Sequence, residues 1–244
     1  MKTAILKSLL ATLALGLAAS SAQAITVVSP PNAPNYLIDG SFESGLSGWT
    51  MSGTPTSASS TTFPVVAITY GSATPYPTGA YGEPVPVSTN ASLSPDAVGS
   101  HGAYFVDDHA VNETISQLVY LTAGRYRIGF DAYAPSNGYA NFNDASFVAQ
   151  IAGVTLANYL VSSLPSATWL SFSGLANILT SGYYSASFVF NTPGLGVAKD
   201  VVIDRAYIVS STEIGGRVIP EPETLALIGI ALAGIVVTRK RKQA

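Results

Sequence analysis

Apolar and polar positions alternate with a period of two over much of the chain, and the clearest stretch is Arg125 to Tyr133. There Tyr126, Ile128, Phe130 and Ala132 fall on one side, opposite Arg125, Arg127, Gly129 and Asp131. This spacing predicts a strand with one buried face and one wet face. Thr114 to Leu121 precedes it across the short link Thr122-Ala123-Gly124, and the pair reads as a hairpin. Further strands are predicted at Ala103 to Val106, Ala145 to Ile151, Thr168 to Phe172, Tyr183 to Phe190 and Val201 to Val209. Nearer the start, Leu37 and Ile38 begin a strand, Phe42 turns inward, and Gly45 and Gly48 permit a turn before Trp49. Residues 52–100 are rich in Ser, Thr, Pro and Gly, with only short apolar pieces such as Phe63 to Ile68. They predict long loops between brief strands, or a partly disordered insertion. Many short strands, and no helical pattern before residue 224, predict an all-β sandwich.

The two ends break this pattern. Residues 1–24 carry Lys2 and Lys7, an apolar stretch from Leu9 to Ala19, and then Ala22-Gln23-Ala24. That order of charge, apolar core and small residues is a secretory signal, cut by a signal peptidase after Ala24. The other end, residues 216–244, reads Pro220-Glu221-Pro222-Glu223-Thr224, then 13 apolar or Gly residues from Leu225 to Val237, then Thr238 and the basic run Arg239, Lys240, Arg241, Lys242. The prolines keep their stretch extended, and Thr224 suits an N-cap for a single short transmembrane helix over 225–238. Thirteen residues span about 20 Å, less than the roughly 30 Å hydrocarbon layer, so this helix is a marginal permanent anchor. The four bases mark a cytoplasmic flank.

Composition sharpens the class. Only 10% of residues are charged, and 22 Gly and 15 Pro favour turns over helices. Cysteine is absent, so disulfides and thiol catalysis are excluded. The net charge of -3 hides an acidic middle: from Ile25 to Ile219 twelve acids face five bases, giving -7. A body of that sign repels nucleic acid. One domain over 25–215 is the simplest reading.

Val218 to Lys242 resembles a PEP-CTERM sorting segment, which has a Pro-Glu-Pro motif, a short apolar helix and a basic tail. The resemblance implies a Gram-negative bacterial protein recognised at Pro220, Glu221 and Pro222 by an exosortase, a membrane peptidase. The protein would pass transiently through the inner membrane and reach the cell surface or extracellular matrix. The body resembles the galactose-binding-like jelly rolls shared by many carbohydrate-binding modules. The carriers are Asp39-Gly40-Ser41-Phe42-Glu43 with Gly48-Trp49, Gln117 to Leu121 with Gly124-Arg125-Tyr126, and Val202-Ile203-Asp204. This implies a jelly-roll β-sandwich over residues 35–210 and a structural calcium ion at Glu43 and Asp204, whose carboxylates suit a hard cation. Against the metal, Arg205 adjoins Asp204, and either acid facing solvent is the other reading.

Candidate chemistry is sparse. His101, Asp107, Asp108 and His109 read as solvated loop residues at the two ends of one strand, too far apart for a common site. Asp131 and Asp144 form a carboxylate pair only if the fold brings them together. Tyr70, Tyr76 and Tyr81 in the Pro/Gly-rich stretch are candidate sugar-stacking rings, whereas Trp169 reads as core. The leading expectation is a non-catalytic surface or matrix protein that associates with extracellular polysaccharide. The alternative is a polysaccharide hydrolase or lyase on a jelly-roll scaffold.

Overall fold

The computed structural model describes residues 27–28, 33–55, 62–88 and 92–213. The signal segment, the Pro-Glu-Pro motif, the apolar helix and the basic tail lie outside the described residues. The chain divides into a compact body, Ser29–Thr212, and a unit made of its two ends, Met1–Val28 with Glu213–Ala244. The strands are β1 (Val27–Val28), β2 (Thr50–Thr54), β3 (Val66–Thr69), β4 (His101–Phe105), β5 (Val111–Leu121), β6 (Gly124–Tyr133), β7 (Ser146–Ile151), β8 (Val154–Leu160), β9 (Leu170–Ile178), β10 (Gly182–Asn191) and β11 (Val201–Glu213). A single helical turn, α1 (Ser136–Tyr139), follows β6.

Two antiparallel sheets make a jelly-roll β-sandwich, one in the order β3-β4-β11-β6-β9 and the other β2-β5-β10-β7-β8. Their inner faces supply Phe105, Phe130, Ile128 and Ile203 from one side and Ile115, Phe147, Phe188 and Phe190 from the other, all fully buried. Each such side chain contributes about 1.5–3 kcal/mol of burial, which lets the sandwich form without a disulfide. Phe42 and Trp49 join this core with ring centroids 5.4 Å apart.

The expected hairpin of Thr114 to Leu121 with Arg125 to Tyr133 does not form. β5 pairs with β10 and β2, and β6 pairs with β11 and β9, so the chain crosses between sheets at Thr122. The Tyr126 hydroxyl donates to the Thr122 carbonyl at 2.9 Å and fixes the corner. The reason is burial: placed in opposite sheets, the apolar faces of both strands meet across one core. Nor do Leu37 and Ile38 begin a strand. They lie in a series of turns, and the Gln117 amide of β5 bonds the Ile38 backbone at 2.7 and 2.9 Å where a neighbouring strand would otherwise serve. The hairpin that does form joins β7 and β8. Its turn residues Ala152 and Gly153 have φ of 51° and 80°, the left-handed pair of a type I′ turn. An Ala-Gly turn is a weak sequence signal, and β8 escaped the pattern reading for that reason.

Among its described residues the Pro/Gly-rich stretch is, as expected, long loops around the brief strand β3, and the loop after β3 forms a layer over one sheet. Tyr70, Ala80 and Val85 pack on the outer side of the β3-β4-β11-β6-β9 sheet against Ile68, Tyr104, Val106, Tyr133, Trp169 and Val202. Trp169 is core, as its sequence context suggests, and its Nε1 donates to the Pro86 carbonyl at 2.8 Å. The expected wet face of β6 is therefore dry at its far end, where Gly129, Asp131 and Tyr133 are buried.

Candidate functional site

The other sheet keeps its outer face open. On β5 the outward phase carries Thr114, Ser116, Leu118 and Tyr120. Opposite them β10 places Val189, Ser187, Ser185 and Tyr183. The Tyr120 and Tyr183 rings meet edge to face at 5.4 Å and are 54% and 74% exposed. Farther across, Gln150 of β7 donates from Nε2 to the Thr155 hydroxyl of β8 at 3.1 Å. Thr50 and Ser52 of β2 extend the same polar surface on the far side of β5. No outward position on these five strands holds an acid or a base. The face therefore offers hydroxyls and amides, which both donate and accept, beside two exposed rings.

Tyr120 and Tyr183 were not among the sequence candidates. The signal was present, since both occupy the outward phase of strands whose inward phase is Ile115, Val119, Leu121 and Ala186, Phe188, Phe190. What was missing was knowledge of which outer face stays uncovered.

Under the covered sheet lies a polar interior. Asp131 is fully buried and accepts from the Ser88 hydroxyl at 2.8 Å and the Ser171 hydroxyl at 2.5 Å. Asp204 stands opposite it in the register of β6 and β11, and its Oδ1 accepts from the Arg205 backbone N–H at 2.6 Å. Burial pushes Asp204 up to about 7, and Asp131 is raised for the same reason. Arg205 takes a φ of 53° beside a register shift between Asp204 and Tyr207, and its Nη2 donates to the Ser94 carbonyl at 3.3 Å.

The sequence candidates are dispersed. Tyr70 is a correction: it is 8% exposed, and its hydroxyl stands near Asp204, whose charge, after burial itself, raises it. Its ring does not face solvent because Ile68 and Val85 belong to the same buried layer. Tyr76 is half-buried and Tyr81 is exposed, their rings stacked at 6.4 Å with Phe63 edge-on to both. Glu43 accepts from the Ser100 and His101 backbone N–H groups, each at 2.8 Å. Glu43 is thus engaged by backbone donors, whereas Asp204 keeps a buried Oδ2 without a hydrogen-bond partner. Among the described residues no three His, Asp or Glu side chains gather around a common point. Asp107 holds its own turn, accepting from the His109 and Phe63 backbone N–H groups at 2.6 and 2.5 Å, while His101 sits at the start of β4. Asp144, just before β7, accepts from the Ala145 and Ser162 backbone N–H groups and from the Ser162 hydroxyl, and so has no partner in common with Asp131.

Residues 218–242 match the model of the PEP-CTERM protein-sorting motif. The chain carries an exosortase sorting signal. The PEP-CTERM motif indicates an exported protein that is processed at the membrane and displayed extracellularly. No curated protein matches the chain. Among solved structures it is similar to TmCBM61 in complex with beta-1,4-galactotriose, at 18% identity and a TM-score of 0.44, covering 73% of this chain and 99% of that one. It is also similar to a family 16 carbohydrate binding module, at 14% and 0.39, covering 72% and 100%. A third is the C-terminal family 22 carbohydrate binding module of Clostridium thermocellum Xyn10B, at 12% and 0.43, covering 76% and 99%.

Proposed function

We propose that this PEP-CTERM protein is sorted by an exosortase to the cell surface or matrix, and that it associates there with a neutral polysaccharide, without catalysis, through its open sheet face. One observation carries the reading: the exposed Tyr120 and Tyr183 rings on a face of hydroxyls and amides without charge. Sugar rings present C–H faces that lie on aromatic rings, and hydroxyls that exchange hydrogen bonds with Ser, Thr, Asn and Gln. A face without ionised groups pays no charge desolvation when such a polymer settles on it.

The test uses the protein exported by its host and affinity electrophoresis in gels holding the host's own polysaccharide, neutral glucans and galactans, or uronate polymers. Retardation is expected in neutral gels and is lost on changing Tyr120 and Tyr183 together to alanine. Equal retardation of wild type and the double variant overturns the assignment of this face. Sorting is checked by intact mass: changing Pro220 and Pro222 to alanine is expected to leave Leu225 to Ala244 attached.

A further inference from the structure

A cavity lies apart from the open sheet face. Its volume is about 230 Å³, and it opens between the covering layer, the turn after β4, α1 and its sequel, and the segment leading into β11. That is smaller than the roughly 300–1,000 Å³ of drug-sized sites and suits a ligand of one ring. Phe63 and Tyr81 supply aromatic lining, Asp108 and Asp200 carboxyls, and Asn137 and Asn141 amides.

The polar groups are unevenly used. Asp200 is 3% exposed, and its Oδ2 accepts from the Tyr104 hydroxyl at 2.5 Å. Its Oδ1 has no hydrogen-bond partner among the described residues. Asp108 accepts from the Ala198 N–H through Oδ1 at 2.7 Å, which leaves Oδ2 available. The lining holds no basic side chain. The nearest base in sequence, Lys199, has its Nζ tied to the Tyr139 and Asn141 carbonyls and lies over the Tyr139 ring. Glu83 is occupied by the Asn137 backbone N–H at 2.7 Å. The Tyr81 hydroxyl is raised by burial first and then by the neighbouring Asp108, Asp200 and Asp107 carboxyls.

We infer that the cavity binds one amino-sugar unit, its ammonium group held by the Asp108 carboxylate with the Asp200 carboxyl accepting beside it, against the Tyr81 and Phe63 rings, and its hydroxyls on the Asn137 amide and on Oδ1 of Asn141, whose Nδ2 donates to the Ala198 carbonyl. Carboxylates and aromatic faces together select an organic ammonium. A metal ion is a poor occupant, since no three ligating side chains gather among the described residues. The site is separate from the open sheet face, so each stands or falls alone.

The test is an NMR titration of the exported protein at pH 6 with glucosamine, N-acetylglucosamine and glucose, and then with a fully deacetylated β-1,4 trisaccharide of glucosamine. Glucosamine is expected to shift the Tyr81, Asn137 and Asn141 amides, with glucose and N-acetylglucosamine about tenfold weaker, the scale of one partly desolvated charge contact. Asp108→Asn is expected to remove that preference. Should Asp200→Asn fail to fold, Asp108→Asn and Tyr81→Phe retain the buried Tyr104 to Asp200 bond and keep the test usable. Binding of both monomer and trisaccharide points to a unit of a cationic polymer, and of the monomer alone to a free sugar; either sustains the inference. Equal binding of glucose and glucosamine, no shift at these residues, or shifts confined to Tyr120 and Tyr183 overturns it.

Discussion

The two outer faces of the sandwich begin from the same two-residue alternation and end in opposite states. On the β2-β5-β10-β7-β8 sheet the outward side chains are hydroxyls, amides and a tyrosine pair, open to water and uncharged. On the β3-β4-β11-β6-β9 sheet the outward side chains include Asp131, Asp204, Tyr104 and Tyr133, all sealed under residues drawn from 62–100. Asp131 is buried where the fold has two serine hydroxyls to meet it. Where the fold leaves a face wet, charge was left out. A covered face can be rigid and polar inside; an open one is free to take a neutral polymer.

The contrast is broken most severely by Trp169→Ala. That change empties a buried indole site and frees the Pro86 carbonyl, and about 3–5 kcal/mol of stability is expected to go, measured by urea unfolding. Next is Gly102→Ala. An added methyl would lie 2.6 Å from the Tyr70 hydroxyl and 3.1 Å from the Ile203 carbonyl, so the layer must shift, at about 1–3 kcal/mol. Neither change is expected to alter the Tyr120 and Tyr183 face in the protein that remains folded.

A pH series sharpens the comparison further. Burial pushes Asp200 up to about 8 and Asp204 up to about 7 on the covered side. Burial and the Asp107 charge push Glu113 up to about 9, with both its oxygens buried and lacking hydrogen-bond partners. Each keeps its proton to higher pH folded than unfolded, so the folded chain binds more protons in that window. Stability is expected to fall as pH rises from about 4 to about 9, by several kcal/mol. Asp204→Asn should flatten the part of the slope near pH 7, and an unchanged slope would remove Asp204 from the account. The smallest effect is on the open face. Tyr183→Ala alone should weaken neutral-polysaccharide binding about twofold to tenfold with no change in the pH series, read by affinity electrophoresis.

Much of the fold was legible because strand alternation is local. The inward phase of β6 read correctly from Tyr126, Ile128 and Phe130, β5 and β10 were expected as strands, and Trp169 was placed as core. The expected hairpin failed because periodicity fixes which side of a strand is apolar and says nothing about which strand lies beside it. The tyrosine candidates failed at Tyr70 for a related reason: a Pro/Gly-rich stretch looks loose until the surface it packs on is known. Tyr120 and Tyr183 sat in plain alternation, and only the open state of their sheet set them apart.

By itself the sequence determined the all-β class, the position of most strands and the phase of β6, reliance on a core without disulfides, and the Pro-Glu-Pro sorting segment at 218–242. Each of these is written in neighbouring residues. Only the tertiary structure decided that β5 and β6 part into different sheets, that residues from 62–100 cover one face, and that Asp131 and Asp204 lie buried. Those outcomes depend on contacts between distant parts of the chain, such as Ser88 with Asp131 and Trp169 with Pro86, at separations of 43 and 83 residues. Contacts of that range are set by burial of the whole surface at once, which no local period records.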